Sequence, residues 1–324
     1  MDDVRLMDAG KNMNGKLVGI CISEKRGTQK HPVDVADIVK GWGIENDAHG
    51  GNWHRQVSLL SYEKIEAFRE QGAEIVPGAF GENLIIEGFD LRKFPVGTRF
   101  RIGEAVLELT QIGKECHSHC EIYKKMGDCI MPREGVFTEV ITGGHIWVGD
   151  AVEVTEPEKD RPFTAAVITL SDKGAAGLRE DRSGPKIREM AVQAGYDVKE
   201  VLLLPDGKGP LKRQLIRLSD QRQINVIFTT GGTGFSERDM TPEATMEVCD
   251  RMANGIADAI RNYSMTITPR AMFSRAVSGI RGRTLIVNLP GSPKAVQEAL
   301  EFLLPHLGHG LGILRGSEGD CARL

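Results

Sequence analysis

The apolar pattern of this chain changes its period across a nine-residue seam, TEPEKDRPF (155–163), which carries two prolines and five charges. One core does not suit both patterns, because side chains repeat every second residue on a strand and every 3.6 residues on a helix. The 324 residues exceed the usual size of a single core and fit two. We therefore read 156–163 as a linker between a domain at 13–155 and a domain at 164–320.

Before the seam, short strands are separated by glycine: KLVGICIS, RQVSLLS, ENLIIEG, TRFRIG, AVLELTQI, GVFTEVI and HIWVGDAVEV, with one helical stretch, SYEKIEAFREQG. Strands at this spacing predict a β-barrel or sandwich. After the seam, β-branched runs alternate with amphipathic segments of helical length: TAAVITL with SGPKIREMAVQAG, DVKEVLLLPD with GPLKRQLIRLSDQ, NVIFTTGG with TPEATMEVCDRM, and RTLIVNLPGS with PKAVQEALEFLLPHL. That series predicts a three-layer α/β domain with a mostly parallel sheet, and a ligand crevice outside the carboxyl ends of its strands.

Composition narrows the function classes. No apolar run approaches the ~18 residues of a membrane span. The opening MDDVRLMDAGKNMNG has neither the basic end nor the apolar block of a secretory signal, so a cytoplasmic protein without membrane contact is expected. The cysteines, at 21, 116, 120, 129, 249 and 321, are too sparse for a disulfide framework. Residues 1–160 hold 19 Lys+Arg against 27 Asp+Glu, and residues 161–324 hold 22 against 18. A mildly basic second half suits a small anionic ligand and falls short of a nucleic-acid footprint.

Every strand of the second half ends in polar or glycine-rich chemistry. TLSD ends at Asp172, LLPD at Asp206, and TTGGTG (229–234) offers consecutive backbone N–H groups unobstructed by Cβ, as a phosphate nest requires. A plain tight turn is the other reading, and the GxxxxGK[ST] phosphate-loop signature is absent. In NLPGSPKAV, Ser292 fits an N-cap and Pro293 the first helical position, leaving free N–H groups for an anion. Thr241 and Pro242 repeat that arrangement and set Asp239 just before a positive helix end. Each could be a simple cap. Taken together, Asp172, Asp206 and Asp239 beside two phosphate-type turns suit Mg²⁺, which takes one or two carboxylates plus phosphate oxygens.

TLSDKGAAGLREDRSGP, LLPD, TTGGTGFSERDMTPEAT and NLPGSPKAV together resemble the molybdopterin adenylyltransferase family (MogA/MoaB-like) over residues 164–320. The resemblance implies that Asp206 and Asp239 are the essential acidic residues and hold Mg²⁺. It implies that Asp172, Asp181 and Ser183 shape the pterin and nucleotide pocket, that Gly231, Gly232, Thr233 and Gly234 line the phosphate site, and that Thr241 is a further cofactor-binding residue. Gly291 and Ser292 would hold the pterin phosphate, Ser292 standing where relatives often carry Asn or Gln. The implied substrates are molybdopterin and ATP, and the implied assembly is a trimer that works with other molybdenum cofactor biosynthesis proteins.

In the first half, QIGKECHSHCEIYKKMGDC gathers Cys116, His117, His119, Cys120 and Cys129. Three readings stay open: a zinc site lacking its second Cys pair, a thiol activated by His117, His119 and Lys114, and small buried hydrophobes. GIENDAHGGNWHRQVSLLS, PGAFGENLIIEG, VGTRFRIGEAVLELTQIGKECHSHC and GGHIWVGDAVEV resemble the MOSC domain (molybdenum cofactor sulfurase C-terminal domain). That resemblance implies a sulfur-bearing or cofactor-contacting cysteine, Cys120 first and Cys116 second, and anion binding by His49, His54, Arg55 and Gln56. Both halves thus point to the molybdenum cofactor. The expected function is adenylylation in the second half and cofactor or sulfur handling in the first; the alternative is a non-catalytic binding, storage or delivery protein.

Overall fold

The computed structural model describes residues 14–72, 74–115, 123 and 128–317; Cys116, His117, His119 and Cys120 lie outside the described residues. The chain divides into two compact units between Pro157 and Glu158, inside the charged seam. Among the described residues no helix is long and apolar enough to cross a membrane.

The first unit contains β1 (Asn14–Ile22), β2 (His31–Val33), β3 (Val35–Val39), β4 (Gly43–Ile44), β5 (Val57–Ser61), α1 (Tyr62–Arg69), β6 (Leu84–Glu87), β7 (Arg99–Ile102), β8 (Ala105–Ile112), α2 (Met131–Glu134), β9 (Val136–Thr142), β10 (Gly144–Trp147) and β11 (Ala151–Thr155). Seven of these strands form a closed barrel in the order β11-β7-β8-β9-β5-β6-β1, with β1 returning to pair with β11 and β2 added beside β1. Its interior is apolar because alternate strand residues point inward: Leu17, Leu59, Leu84, Ile86, Phe100, Leu107, Leu109 and Val152 are all fully buried. A separate three-stranded sheet has the order β10-β3-β4.

The sequence reads HIWVGDAVEV as one strand; the structure makes it two, in different sheets. Gly149 takes φ 104°, and the Asp150 carboxylate accepts the Trp147 N–H at 2.9 Å, so the chain turns between β10 and β11. Glycine tolerates that backbone and the short acidic side chain closes the turn.

The second unit contains β12 (Thr164–Leu170), α3 (Asp172–Ala175), α4 (Ser183–Gln193), β13 (Asp197–Leu204), α5 (Lys208–Ile216), β14 (Val226–Thr230), α6 (Thr241–Val248), β15 (Arg251–Met252), α7 (Asn254–Ile267), β16 (Ser278–Arg281), β17 (Thr284–Leu289) and α8 (Pro293–Arg315). Its sheet has the order β13-β12-β14-β17-β16-β15. The first four strands are parallel, whereas β16 pairs antiparallel with both β17 and β15. The sheet is therefore mixed, where the sequence pattern predicts a mostly parallel one. Arg281 and Thr284 face each other across a two-residue turn with Gly282 at φ 56°, and strands joined by so short a turn can only run antiparallel.

Successive residues of the central strands serve opposite faces. Val167, Phe228 and Val287 pack with Ile187 of α4, Ile260 of α7 and Leu300 of α8, while Ala166, Ile227 and Ile286 pack with Leu211 of α5 and Val248 of α6. The result is three layers with both sheet faces covered.

Candidate functional site

The parallel strands of the second unit end in register. Leu170 lies opposite Leu204, Thr169 opposite Thr230, and Thr230 opposite Leu289, so the loops that follow share one rim. Two of these loops clasp each other through carboxylates. The Asp172 N–H donates to Asp206 Oδ2 and the Asp206 N–H donates to Asp172 Oδ1, both at 3.0 Å. Arg238 pairs with the remaining oxygen of Asp172. Asp206 Oδ1 takes no hydrogen bond among the described residues.

Asp181 Oδ1 accepts the N–H groups of Ser183 and Gly184, each at 3.0 Å, and so caps α4. A side chain at Gly184 would place Cβ 2.6 Å from Thr169 Oγ1, so only glycine lets the helix approach the strand end so closely. Ser183 Oγ donates to the Gly291 carbonyl at 3.0 Å, and Thr230 Oγ1 to the Pro290 carbonyl at 2.6 Å. Both bonds fix the β17–α8 turn, where Ser292 Oγ accepts the Ala295 N–H at 3.3 Å and Pro293 opens α8. In the glycine loop, Gly231 (φ 94°) and Gly232 (φ 63°) hold backbone angles unfavourable to other residues. Thr241 Oγ1 donates to the Gly231 carbonyl at 2.9 Å, so its hydroxyl secures this loop.

These elements surround a cavity of about 410 Å³ lined by Ser171, Arg179, Asp181, Ser183, Thr230, Gly231 and Gly291 among others. Asp239 opens instead onto a neighbouring depression of about 390 Å³, with Phe235, Ser236, Glu237, Met240 and Arg275. Asp239 Oδ2 accepts the Ser236 N–H at 3.2 Å, and Gly234 is packed so closely that its Cβ would lie 2.9 Å from the same oxygen. Thr233 is buried and contributes its carbonyl to the Arg275 N–H at 2.9 Å. The sequence-derived residues thus divide: Asp181, Ser183, Gly231 and Gly291 line one cavity, the Asp172–Asp206 clasp adjoins it at Ser171, and Asp239 borders the second depression. Arg179, Arg182 and Arg275 were not singled out from sequence, since isolated arginines in polar loops carry no pattern of their own.

Among the described residues no three His, Cys, Asp or Glu side chains converge into a cage for a metal ion. Mg²⁺ keeps waters and phosphate oxygens and asks the protein for only one or two carboxylates. Asp206 and Asp239 each keep an oxygen, Oδ1, outside the hydrogen bonds just described.

In the first unit the densest polar cluster is sealed inside. Lys30 Nζ donates to both Asp47 oxygens, at 2.6 and 2.8 Å, and lies 3.2 Å from His49 Nδ1, with the Lys30 and Asp47 side chains each 1% exposed. Asp47 also accepts the Ser23 N–H at 2.9 Å and Asn83 Nδ2 at 3.2 Å. Burial works to raise the Asp47 carboxyl, but hydrogen bonds from His49 and Lys30 hold it well below the usual carboxylate range. Burial lowers Lys30 and pushes Glu82 up to about 7, although Glu82 accepts the Gly78 N–H at 2.7 Å and the Phe80 N–H at 3.0 Å.

Of the residues expected to bind an anion here, His49 is partly exposed, His54 Nε2 lies 2.8 Å from Gln111 Oε1, and the Arg55 guanidinium stands 4.7 Å from the Trp53 ring centre. Gln56 is buried in the barrel wall, its Oε1 accepting the Val140 N–H at 2.8 Å. Cys129 is buried in the same apolar cluster as Cys21, whose thiol burial pushes up to about 12.

Residues 166–309 match the family model described as a probable molybdopterin binding domain, and residues 45–153 match the MOSC domain. A protein of Helicobacter pylori (strain ATCC 700392 / 26695) named molybdopterin adenylyltransferase is 36% identical over 153 residues, covering 47% of this chain and 87% of that protein. Its namesake in Haemophilus influenzae is 39% identical over 137 residues, covering 42% and 70%. The structure of the molybdopterin biosynthesis enzyme MoaB from Thermus thermophilus is 44% identical at a TM-score of 0.46, covering 48% of this chain and 97% of that one. Through its second unit the chain belongs to the molybdopterin adenylyltransferase family, and its first unit carries a MOSC domain.

Proposed function

We propose that residues 164–320 transfer adenylate from Mg-ATP to molybdopterin. The observation that carries this reading is the strand-end cavity bounded by Ser183, Gly231 and Gly291, with the Asp172–Asp206 clasp beside it. In the reaction the terminal phosphate of molybdopterin attacks the α-phosphorus of ATP; one P–O bond forms, the bond to the β-phosphate bridge breaks, and pyrophosphate leaves. A phosphate nucleophile is already ionised near neutral pH, so no side chain has to take a proton from it. What remains for the protein is alignment and charge compensation.

Backbone N–H groups of Gly231, Gly232, Thr233 and Gly234 would hold nucleotide phosphate, while Gly291, Ser292 and the first turn of α8 would hold the pterin phosphate. Arg179 and Arg182 line the cavity with Glu180 and Asp181, Arg182 pairing with Glu180 at 3.2 Å, so Arg179 is the cation here that would meet a phosphate. Asp206 and Asp239 would hold Mg²⁺, which when bound neutralises charge on the phosphate oxygens. We place the reaction in the cytoplasm and in a trimer, with product passing to other molybdenum cofactor proteins. The MOSC unit would bind that cofactor or carry its sulfur on Cys120, with Cys116 as second choice and His49, His54 and Arg55 supporting it; Gln56, buried and bonded to the Val140 N–H, serves the barrel wall instead.

Incubating the purified chain with molybdopterin and Mg-ATP should release pyrophosphate in step with adenylylated molybdopterin. Stoichiometric pterin binding with no pyrophosphate would establish the carrier alternative instead. For the first unit, alkylation at limiting reagent followed by mass mapping should label Cys120 ahead of Cys21 and Cys249, whose thiols burial pushes up to about 12 and about 11. Equal labelling of the three would remove Cys120 from the reading.

A further inference from the structure

Arg275 stands in the segment just before β16 and grips the loop that carries Asp239 from outside. Its N–H donates to the Thr233 carbonyl at 2.9 Å and its Nε to the Gly234 carbonyl at 2.7 Å. Its two terminal nitrogens reach the Asp239 carbonyl and Glu243 Oε1, the latter in the first turn of α6. One residue thereby ties the end of the glycine-rich nest, the Asp239 backbone and the start of the helix that follows. Inside the loop, the only further bonds among the described residues that fix Asp239 are its own N–H to the Ser236 carbonyl at 2.9 Å and the Ser236 N–H to its Oδ2 at 3.2 Å. That small turn closes on itself; beyond it Thr241 ties the chain back to the nest through its N–H to the Gly232 carbonyl at 3.1 Å and its hydroxyl to the Gly231 carbonyl at 2.9 Å, and Arg275 adds the hold on the Asp239 carbonyl itself.

We propose that Arg275 is a positioning residue that fixes the Asp239 carboxylate relative to the phosphate nest. This rests on the adenylylation reading above. The fork is what the task requires, because a planar guanidinium serves three acceptors in fixed directions and a lysine ammonium is a point charge on a flexible stem. Arg275 touches none of Ser183, Gly291 or Ser292, so its effect should fall on the metal and nucleotide side and spare the pterin side.

The test is Arg275→Lys in the full chain, which keeps the charge and loses the fork. Amide hydrogen exchange should quicken by roughly tenfold or more within 233–243 and stay at the parent rate in β12 and β17, because the loop alone loses its outside anchor. Manganous ion bound in the presence of ATP, read by electron paramagnetic resonance, should need roughly tenfold more metal for half-saturation, and kcat should fall roughly 10- to 100-fold with KM for molybdopterin held within about twofold. Exchange in 233–243 matching the parent overturns the proposal, as does faster exchange with unchanged manganese binding and unchanged kcat. If the parent releases no pyrophosphate, the adenylylation reading fails by itself, and exchange with manganese binding still decides the role of Arg275. If Arg275→Lys does not fold, Glu243→Ala removes one of the four contacts, and faster exchange confined to 233–243 is again the expected result; no change there overturns the proposal.

Discussion

The most prominent polar cluster of each unit is used in an opposite way. In the first, Lys30, Asp47, Asn83 and Glu82 are buried, and the Lys30–Asp47 pair is closed by mutual hydrogen bonds. In the second, Asp172, Asp206 and Asp239 sit at an open rim and use only part of their bonding capacity on the backbone. A buried, paired charge has nothing left to offer a ligand and serves the fold; a half-used carboxylate at a rim is held in place and still reactive. The difference separates framework from chemistry more sharply than the residue types do.

Substitutions at five positions would break or sharpen this contrast. The largest effect is expected for Lys30→Met, which leaves Asp47 buried without its cation and should destabilise the first unit by about 3 to 5 kcal/mol. Trp42, Trp53 and Trp147 are the only tryptophans and all lie in that unit, so denaturant unfolding followed by their fluorescence reads it alone. A loss under about 1 kcal/mol would mean that the pair is no framework. Next come Asp206→Asn and Asp239→Asn, which keep an amide oxygen for the backbone bonds yet remove a charge. Each should slow adenylylation roughly 100- to 1000-fold with an unchanged circular dichroism spectrum; near-parental turnover in both would erase the contrast.

A subtler effect belongs to Glu82, which burial pushes up to about 7 from an ordinary 4.5. A carboxyl raised on folding favours the folded state fully below its unfolded value and loses that contribution as pH rises through the folded one. The first unit should therefore lose stability between about pH 5 and 8, and Glu82→Gln should flatten that slope; Asp47, held low, contributes evenly across the window. A parental slope surviving in Glu82→Gln would move the titration to another group. Smallest is Ser292→Ala, where a lost cap and a lost phosphate contact should weaken pterin binding by roughly 1 to 2 kcal/mol. Ser292→Asp keeps a good cap but aims a negative charge at the phosphate, so binding should fall further while stability holds. Equal affinity in the Asp variant would turn this helix end away from the pterin.

Much of this was legible before the fold was known, because the seam, the alternating strands and the chemistry at strand ends are local properties of the chain. What escaped depends on partners far away in sequence. The turn at Gly149 that splits HIWVGDAVEV matters only because β10 finds β3 and β11 finds β1 and β7. TPEATMEVCDRM reads as one helix, but α6 stops at Val248 and Arg251–Met252 pair with β16. Gln56 sits in a motif that looks like a polar loop and is spent on Val140, 84 residues on. Lys30 and Arg275 carry no spacing signal, since their acceptors are assembled by tertiary contacts.

The barrel closes by pairing its first strand with its last, Asn14 opposite Glu153 and Lys16 opposite Ala151. The start of the first strand and the end of the last are therefore neighbours across one hydrogen-bonded ladder. Topologically the unit is a ring with a cut in it, and the site of the cut is arbitrary. Circular permutation that joins these ends with a short flexible bridge and reopens the chain at Gly103–Glu104, the two-residue turn between β7 and β8, would keep every ladder of the ring. β11 is held on both sides, by β7 and by β1, so the last strand, which ends at Thr155, has no free edge within the ring.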